Sequence, residues 1–260
     1  MQNNTMKLYH YTTVRNFKKI WESQSLKFSF SKRTNDIFEK MKIVEIGSIS
    51  IPYEIRQNTK EFPFLNIFFD MLESYRQISL SMDYDNDLKG FSSPMMWGHY
   101  ANSCKGVCIE IDSDRLILDS NNMWADKVEY TDFIPMIILN NNYEFKNKND
   151  ICAFINNNIH EFFYKKHFHW KYENEYRIIS NEHQYLSIKD AITALYVPDT
   201  KGYAFREVKK LISDSNVDFY YLFPATSNGG RIIARMPVNY KRSKISRTLM
   251  NNQTKNEAHK

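Results

Sequence analysis

Apolar and polar positions along the chain change period several times, and each change marks an element. Lys7 to Tyr11 reads as a first strand, after which Thr12 or Thr13 can cap a helix. In that helix Val14, Phe17, Ile20 and Trp21 recur every three or four positions, the spacing of a buried helical face. From Leu26 to Ser31 the pattern alternates, with Leu26, Phe28 and Phe30 on one side, and predicts a second strand. Thr34-Asn35-Asp36 follows as a turn or cap, with Glu39 three residues after Asp36 as in a capping box. The stretch through Pro52 and past Pro63 is irregular.

Further on, Phe64 to Tyr75 predicts a helix and Gln77 to Met82 a strand. Ser93 before Pro94 marks the start of a helix running to Tyr100, with proline at its first position. Gly106 to Ile111 and Val128 to Tyr130 read as strands. Residues 134–168 read as mostly helical, broken by the polar run Asn140 to Asp150. Lys171 to Ser180, Ile192 to Val197, Val217 to Leu222 and Gly230 to Met236 predict four later strands, with a helix from Phe205 to Ser213 between them. The last two strands join through Ser227-Asn228-Gly229-Gly230.

This order predicts an α+β fold: a mixed, strongly bent or split β-sheet core with flanking helices. The expected organisation is one domain over 1–237, a helical insertion at about 134–168, and a basic, frayed tail over 238–260. No internal repeat, GxGxxG or phosphate-loop sequence occurs.

Composition narrows the class. The 260 residues are 42% apolar, enough for a real core, and 15% aromatic. No apolar run approaches the roughly 20 residues that span a bilayer, and the N-terminus lacks a signal-peptide core, so a cytoplasmic protein is expected. Cys104, Cys108 and Cys152 form no paired framework, which suits a reducing compartment. The formal charge is +5, much of it near the C-terminus in Arg231, Arg235, Lys241, Arg242, Lys244 and Arg247. A basic end can attract phosphate backbones.

Asp83-Tyr84-Asp85-Asn86-Asp87 resembles a calcium loop only briefly, because Leu88 stands where that loop needs glycine and Pro94 where it needs glutamate. A solvated acidic loop is the better reading. His160, His167 and His169 match no metal-ligand spacing, so no metal is expected. No serine or cysteine sits in a nucleophile-elbow sequence.

The sharpest constellation is Trp170-Lys171-Tyr172-Glu173-Asn174-Glu175-Tyr176-Arg177. If it is one strand, Tyr172, Tyr176 and Ile178 share a face, and Glu173, Glu175 and Arg177 share the other. A charged row on an inner strand must be solvated in a cleft or paired. Both alternatives stand: a Glu175–Arg177 pair, or a cleft in which a carboxylate holds a hydroxyl, offsets a growing positive charge or accepts a proton. Tyr9-His10-Tyr11-Thr12 and Met96-Trp97-Gly98-His99-Tyr100 are the other two constellations.

These pieces, with Asn35-Asp36-Ile37-Phe38-Glu39, Lys105-Gly106-Val107-Cys108 and Lys166, carry a resemblance to the bacterial family of unknown function DUF2971 over about residues 8 to 180. Ile37 stands where that family usually has proline, and Ser79 to Ser81 where Cys-Phe-Ser is usual. That family in turn resembles, more remotely, the ADP-ribosyltransferase superfamily. The resemblance implies NAD as ADP-ribose donor and an unknown protein or nucleic-acid acceptor. It implies that His10 holds the nicotinamide–ribose part of NAD and that Glu175 binds the ribose hydroxyl and supports an oxocarbenium-like transition state. Thr12 would help orient the ribose, and Arg177 would meet the diphosphate or anchor Glu175. Glu173 would orient or deprotonate the acceptor. Tyr100 would stack on the nicotinamide, with Phe30 and Tyr11 as rivals. A role in toxicity or phage defence follows only by analogy. The alternatives are a non-enzymatic binding protein that retains the fold, and a nucleic-acid-binding or processing module using the basic C-terminal region.

Overall fold

Alternation along Lys7–Thr12 (β1) sends Leu8 into one apolar cluster and Tyr9 and Tyr11 into another, so this strand separates two cores. The computed structural model describes residues 5–36, 39, 43–46, 49–52, 64–85, 88–133, 136–139, 145–213, 215–227 and 230–238. The expected tail after Pro237 lies almost wholly outside them, as do residues 86–87 of the acidic loop and 228–229 of the last turn.

The further strands are Ser25–Lys27 (β2), Ser29–Phe30 (β3), Ile43–Ile46 (β4), Ile49–Pro52 (β5), Arg76–Met82 (β6) and Val107–Asp112 (β7). Met123–Lys127 (β8), Glu129–Thr131 (β9), Met136–Leu139 (β10), Lys165–His167 (β11) and Glu175–Ser180 (β12) follow. Tyr185–Ser187 (β13), Ile192–Val197 (β14), Asp218–Ser227 (β15) and Gly230–Pro237 (β16) complete the set. The main sheet runs β16-β15-β14-β7-β1-β6-β12-β8, with β3 also paired to β6. It is open and mixed: β14 and β15 are parallel, and the other neighbours are antiparallel. With its flanking helices this is an α+β fold.

One junction in the sheet is short. β1 pairs with β7 along its whole length, Lys7 to Thr12, and β6 pairs with β12 from Arg76 to Ser81. β1 and β6 meet only at Leu8↔Met82 and Tyr9↔Ser81. Beyond Tyr9 the two strands part, and the sheet forks.

Each half has its own packing. Helices Val14–Ser23 and Tyr203–Leu211 cover one face, where Phe17, Ile20 and Val208 join Leu8, Ile109 and Leu195. Thr13 caps the first of these helices by accepting from the Asn16 amide at 3.1 Å. On the opposite face Trp97 of helix Pro94–Tyr100 packs edge-on to Tyr11, ring centres 5.2 Å apart. The third core joins helices Phe64–Ser74, Lys148–Asn157 and Ile159–Phe163 through Phe68, Phe69, Ile155 and Phe163.

Three expectations need correction. The strand read over Leu26 to Ser31 is two pieces, because residues 25–27 pair with β13 while Ser29 and Phe30 turn to β6. The segment 134–168 is not purely helical: Met136–Leu139 pairs with β4 and Lys165–His167 with β9. The charged strand read over Lys171 to Ser180 begins only at Glu175. A 3-10 helix occupies Phe168–Glu173 and ends at Asn174, whose φ of 43° is left-handed. Asparagine tolerates that conformation better than most residues. Glu173 therefore does not share a strand face with Glu175 and Arg177.

Gly106 shows how closely the chain folds beside the fork. A Cβ built there would lie 2.1 Å from the Thr12 carbonyl oxygen and 2.9 Å from that of Ala101, both backbone atoms. Gly106→Ala is expected to lower stability by about 1–3 kcal/mol through overpacking, read as a fall in the urea midpoint at constant slope. An unchanged midpoint would mean that β1 and the turn before β7 do not approach in this way.

Candidate functional site

Where β1 and β6 part, the structure holds a cavity of about 240 Å³. Tyr9, His10 and Tyr11 line it from one prong, and Gln77 to Ser81 from the other. Phe30, Tyr100, Glu173 and Glu175 also line it, as does Lys166, which was not among the site residues expected from sequence. Thr12 and Arg177 do not line it: Thr12 is buried opposite Val107, and Arg177 lies behind Glu175.

The forking explains His10. This residue lines the cavity together with Ser79, at the gap where β1 and β6 no longer pair. Burial lowers its pKa to about 4, with the Ser79 contact opposing that shift. His10 is thus neutral at physiological pH, a hydrogen-bonding group without charge.

The opposite wall is a buried ionic network. The Arg177 guanidinium grips Glu175 with two parallel bonds, Nε to Oε1 at 2.7 Å and Nη2 to Oε2 at 2.9 Å. Its Nη1 donates to the Phe163 carbonyl at 2.5 Å, and Nη2 also faces Glu39 Oε1 at 2.6 Å. The Lys166 ammonium lies 2.6 Å from Glu173 Oε2 and 3.3 Å from Glu175 Oε2. Tyr100 donates its hydroxyl hydrogen bond to Glu173 Oε1. Arg177, Lys166, Glu173 and Glu175 are all at least 95% buried.

Three carboxylates, Glu39, Glu173 and Glu175, thus face two cations, Lys166 and Arg177. With all five ionised the cluster carries one excess negative charge. Burial alone would raise the pKa of Glu175, but Arg177, then Lys166, outweigh it and hold the group at about 2. Glu173 moves the other way. Burial raises its pKa, and the adjacent Glu175 charge adds to that against the pull of Lys166. One carboxylate is therefore pinned as an anion and its neighbour is the easier to protonate.

Lone pairs separate them again. Glu175 takes two bonds from Arg177 and one from Lys166, which uses most of a carboxylate's capacity of about four. Among the described residues Glu173 accepts from Tyr100 and Lys166, which leaves it room for more.

Phe30 has Arg76 4.8 Å and Arg33 5.9 Å from its ring centre. Tyr11 is held by a hydrogen bond to the Gly90 carbonyl and by Trp97. Tyr100 is the aromatic most directly tied to the carboxylates. Glu39, read in the sequence as a capping-box partner of Asp36, instead accepts from the Thr34 hydroxyl and faces Arg177.

Elsewhere, Cys104 is exposed, Cys108 is buried in β7, and all three cysteines are free. Among the described residues no group of three or more His, Cys, Asp or Glu side chains is placed to hold a metal ion. Among them, too, no helix is long and apolar enough to cross a membrane.

The family model described as Protein of unknown function (DUF2971) matches residues 96–178. That span contains Tyr100, Lys166, Glu173, Glu175 and Arg177, one wall of the cavity and its support. No curated protein and no solved structure matches the chain.

The two depressed pKa values set an acid limit on stability. The unfolded chain protonates His10 below its ordinary 6.5, whereas the folded protein resists until about 4, so this contribution is lost as pH falls through that window. The Glu175 contribution is complete above 4.5 and is lost as pH falls towards about 2. Glu173, shifted upward, opposes part of this by favouring the folded state at low pH. The urea midpoint is expected to fall in two stages on acidification, and His10→Gln is expected to remove the upper one. An upper stage that persists in His10→Gln would sink the assignment.

Proposed function

We propose that the fork cavity receives the nicotinamide–ribose end of NAD and that the chain transfers ADP-ribose from it to a macromolecular acceptor. The observation that carries this reading is the meeting of His10 and Glu175, from strands on the two sides of the fork, around one cavity with Tyr100. At about 240 Å³ the space suits part of a dinucleotide rather than the whole, since drug-sized ligands fill about 300–1,000 Å³. Lys27 and Arg33 line the same cavity and supply cations for a diphosphate running outwards.

In this reading the bond between the nicotinamide nitrogen and the ribose anomeric carbon breaks. Its electron pair leaves with nicotinamide, and positive charge grows on the sugar. With all its groups ionised, the excess negative charge of the carboxylate network stabilises that positive charge, with Glu175 as its firmly ionised member. Glu173, with acceptor capacity left, holds a ribose hydroxyl or takes the proton of the incoming nucleophile. Neutral His10 orients the sugar without adding repulsive charge. Fixed positions and preorganised charge together supply the rate.

The two-bond grip of Arg177 on Glu175, with Lys166 as a third donor, favours a second reading: a non-enzymatic binding protein in which Glu175–Arg177 is an internal pair. Incubation with labelled NAD separates the two. Released nicotinamide, or label moved to protein or nucleic acid, supports transfer. Absence of both, together with no NAD binding in calorimetry at millimolar concentration, would leave the binding-protein reading.

A further inference from the structure

From Lys165 to Tyr172 every residue is basic or aromatic: Lys-Lys-His-Phe-His-Trp-Lys-Tyr. The helix Pro94–Tyr100 and the turn after it, through Lys105, also contain no acidic residue. The fold brings these two segments together, with helix Pro94–Tyr100 against the 3-10 helix Phe168–Glu173. Their rings form a track. Tyr100, at the cavity, lies 6.2 Å from His99, which lies 5.9 Å from Tyr172, which lies 5.9 Å from Trp170. Phe168 and His169 extend the aromatic surface, ring centres 4.2 Å apart. His99, Phe168, His169 and Lys171 are exposed, and so is Lys105 beyond the turn.

We propose that this track binds single-stranded nucleic acid, with bases stacked on its rings and phosphates met by exposed lysines. Charge selects the occupant. The exposed lysines and rings of the two segments complement a polyanion that carries flat apolar faces, with the exposed acids Glu129 and Glu161 confined to the Lys165 end of the track. An acidic peptide would satisfy the lysines and leave the rings unused. A duplex keeps its bases stacked and offers the rings mainly backbone. The track ends at Tyr100, so a bound strand runs to the mouth of the fork cavity. Its role as the acceptor of ADP-ribose rests on the transfer reading above, whereas binding itself does not.

The test is fluorescence anisotropy of the full chain, without NAD, using labelled oligo-dT, oligo-U and a duplex of equal length. Both single strands, or one of them, are expected to bind more tightly than the duplex, and the two arms distinguish DNA from RNA. The double variant His99→Ala, Tyr172→Ala is expected to bind about ten-fold or more weakly, the scale of one or two lost stacking contacts. Lys171→Glu, a surface change, is expected to weaken binding and flatten its salt dependence. Unchanged melting temperatures identify folded variants. Equal affinity for duplex, no affinity for either single strand, or undiminished affinity in both variants overturns the proposal. So does a loss seen only when Lys241, Arg242 and Lys244 of the C-terminal segment are replaced by glutamate. Because NAD is absent, a negative result here leaves the transfer reading untouched, and a failure of transfer leaves this result standing.

Discussion

Arg177→Ala is expected to destabilise the protein by about 3–5 kcal/mol, the usual cost of removing one partner from a buried ion pair. The guanidinium is 2% exposed and serves three places at once: the Glu175 carboxylate, the Glu39 carboxylate and the Phe163 carbonyl. Deleting it leaves two carboxylates in a low-dielectric site, where among the described residues Lys166 answers Glu175 and the Thr34 hydroxyl answers Glu39. It also disconnects β12 from the segment before β11, because the Nη1 bond to Phe163 spans them. Arg177→Lys keeps the charge and loses the planar fork, so it recovers only part of the stability. The measurement is the urea midpoint near pH 7 with the slope held constant. A loss below about 1 kcal/mol, the scale of an exposed pair, would mean that the network is solvated rather than buried.

Local signals in the chain were legible where they act locally. Ser93 and Pro94 start a helix by capping chemistry alone, and the helix runs to Tyr100 as the spacing predicts. The apolar rhythm of Val14, Phe17 and Ile20 is likewise sufficient to place its helix. What escaped depends on distant partners. The fork arises because β6 finds full pairing with β12 while β1 finds it with β7, and neither strand's own pattern records that competition. Residues 171–174 alternate like a strand, yet the left-handed Asn174 turns the chain and brings Glu173 and Glu175 to Lys166 from different backbone directions. Lys166 itself gave one unused signal, its place in a short basic and aromatic run. A lysine that is 4% exposed makes sense only with carboxylates beside it, and those belong to other elements. Glu39 pointed to a local cap because its sequence neighbours are capping residues, whereas its second oxygen reaches Arg177, 138 positions away by residue numbers 39 and 177.

Glu175→Gln is expected to reduce NAD turnover by about 10²–10³-fold, the scale of losing one preorganised electrostatic contact to a transition state. The amide preserves shape and removes the charge that Arg177 and Lys166 hold ionised. With that charge gone the network loses its excess negative charge, so nothing in it offsets the cation forming on the sugar. The variant retains Arg177 contacts to Glu39 and Phe163, so it is expected to fold with reduced stability. Glu173→Gln provides the contrast. It leaves the Glu175–Arg177 grip intact and removes the carboxylate that still has lone pairs to offer, so its loss should depend on which acceptor is supplied. If charge is the operative property, kcat for nicotinamide release falls in Glu175→Gln while NAD affinity changes much less. Full turnover in folded Glu175→Gln would remove Glu175 from the chemistry and return it to the role of an internal partner for Arg177.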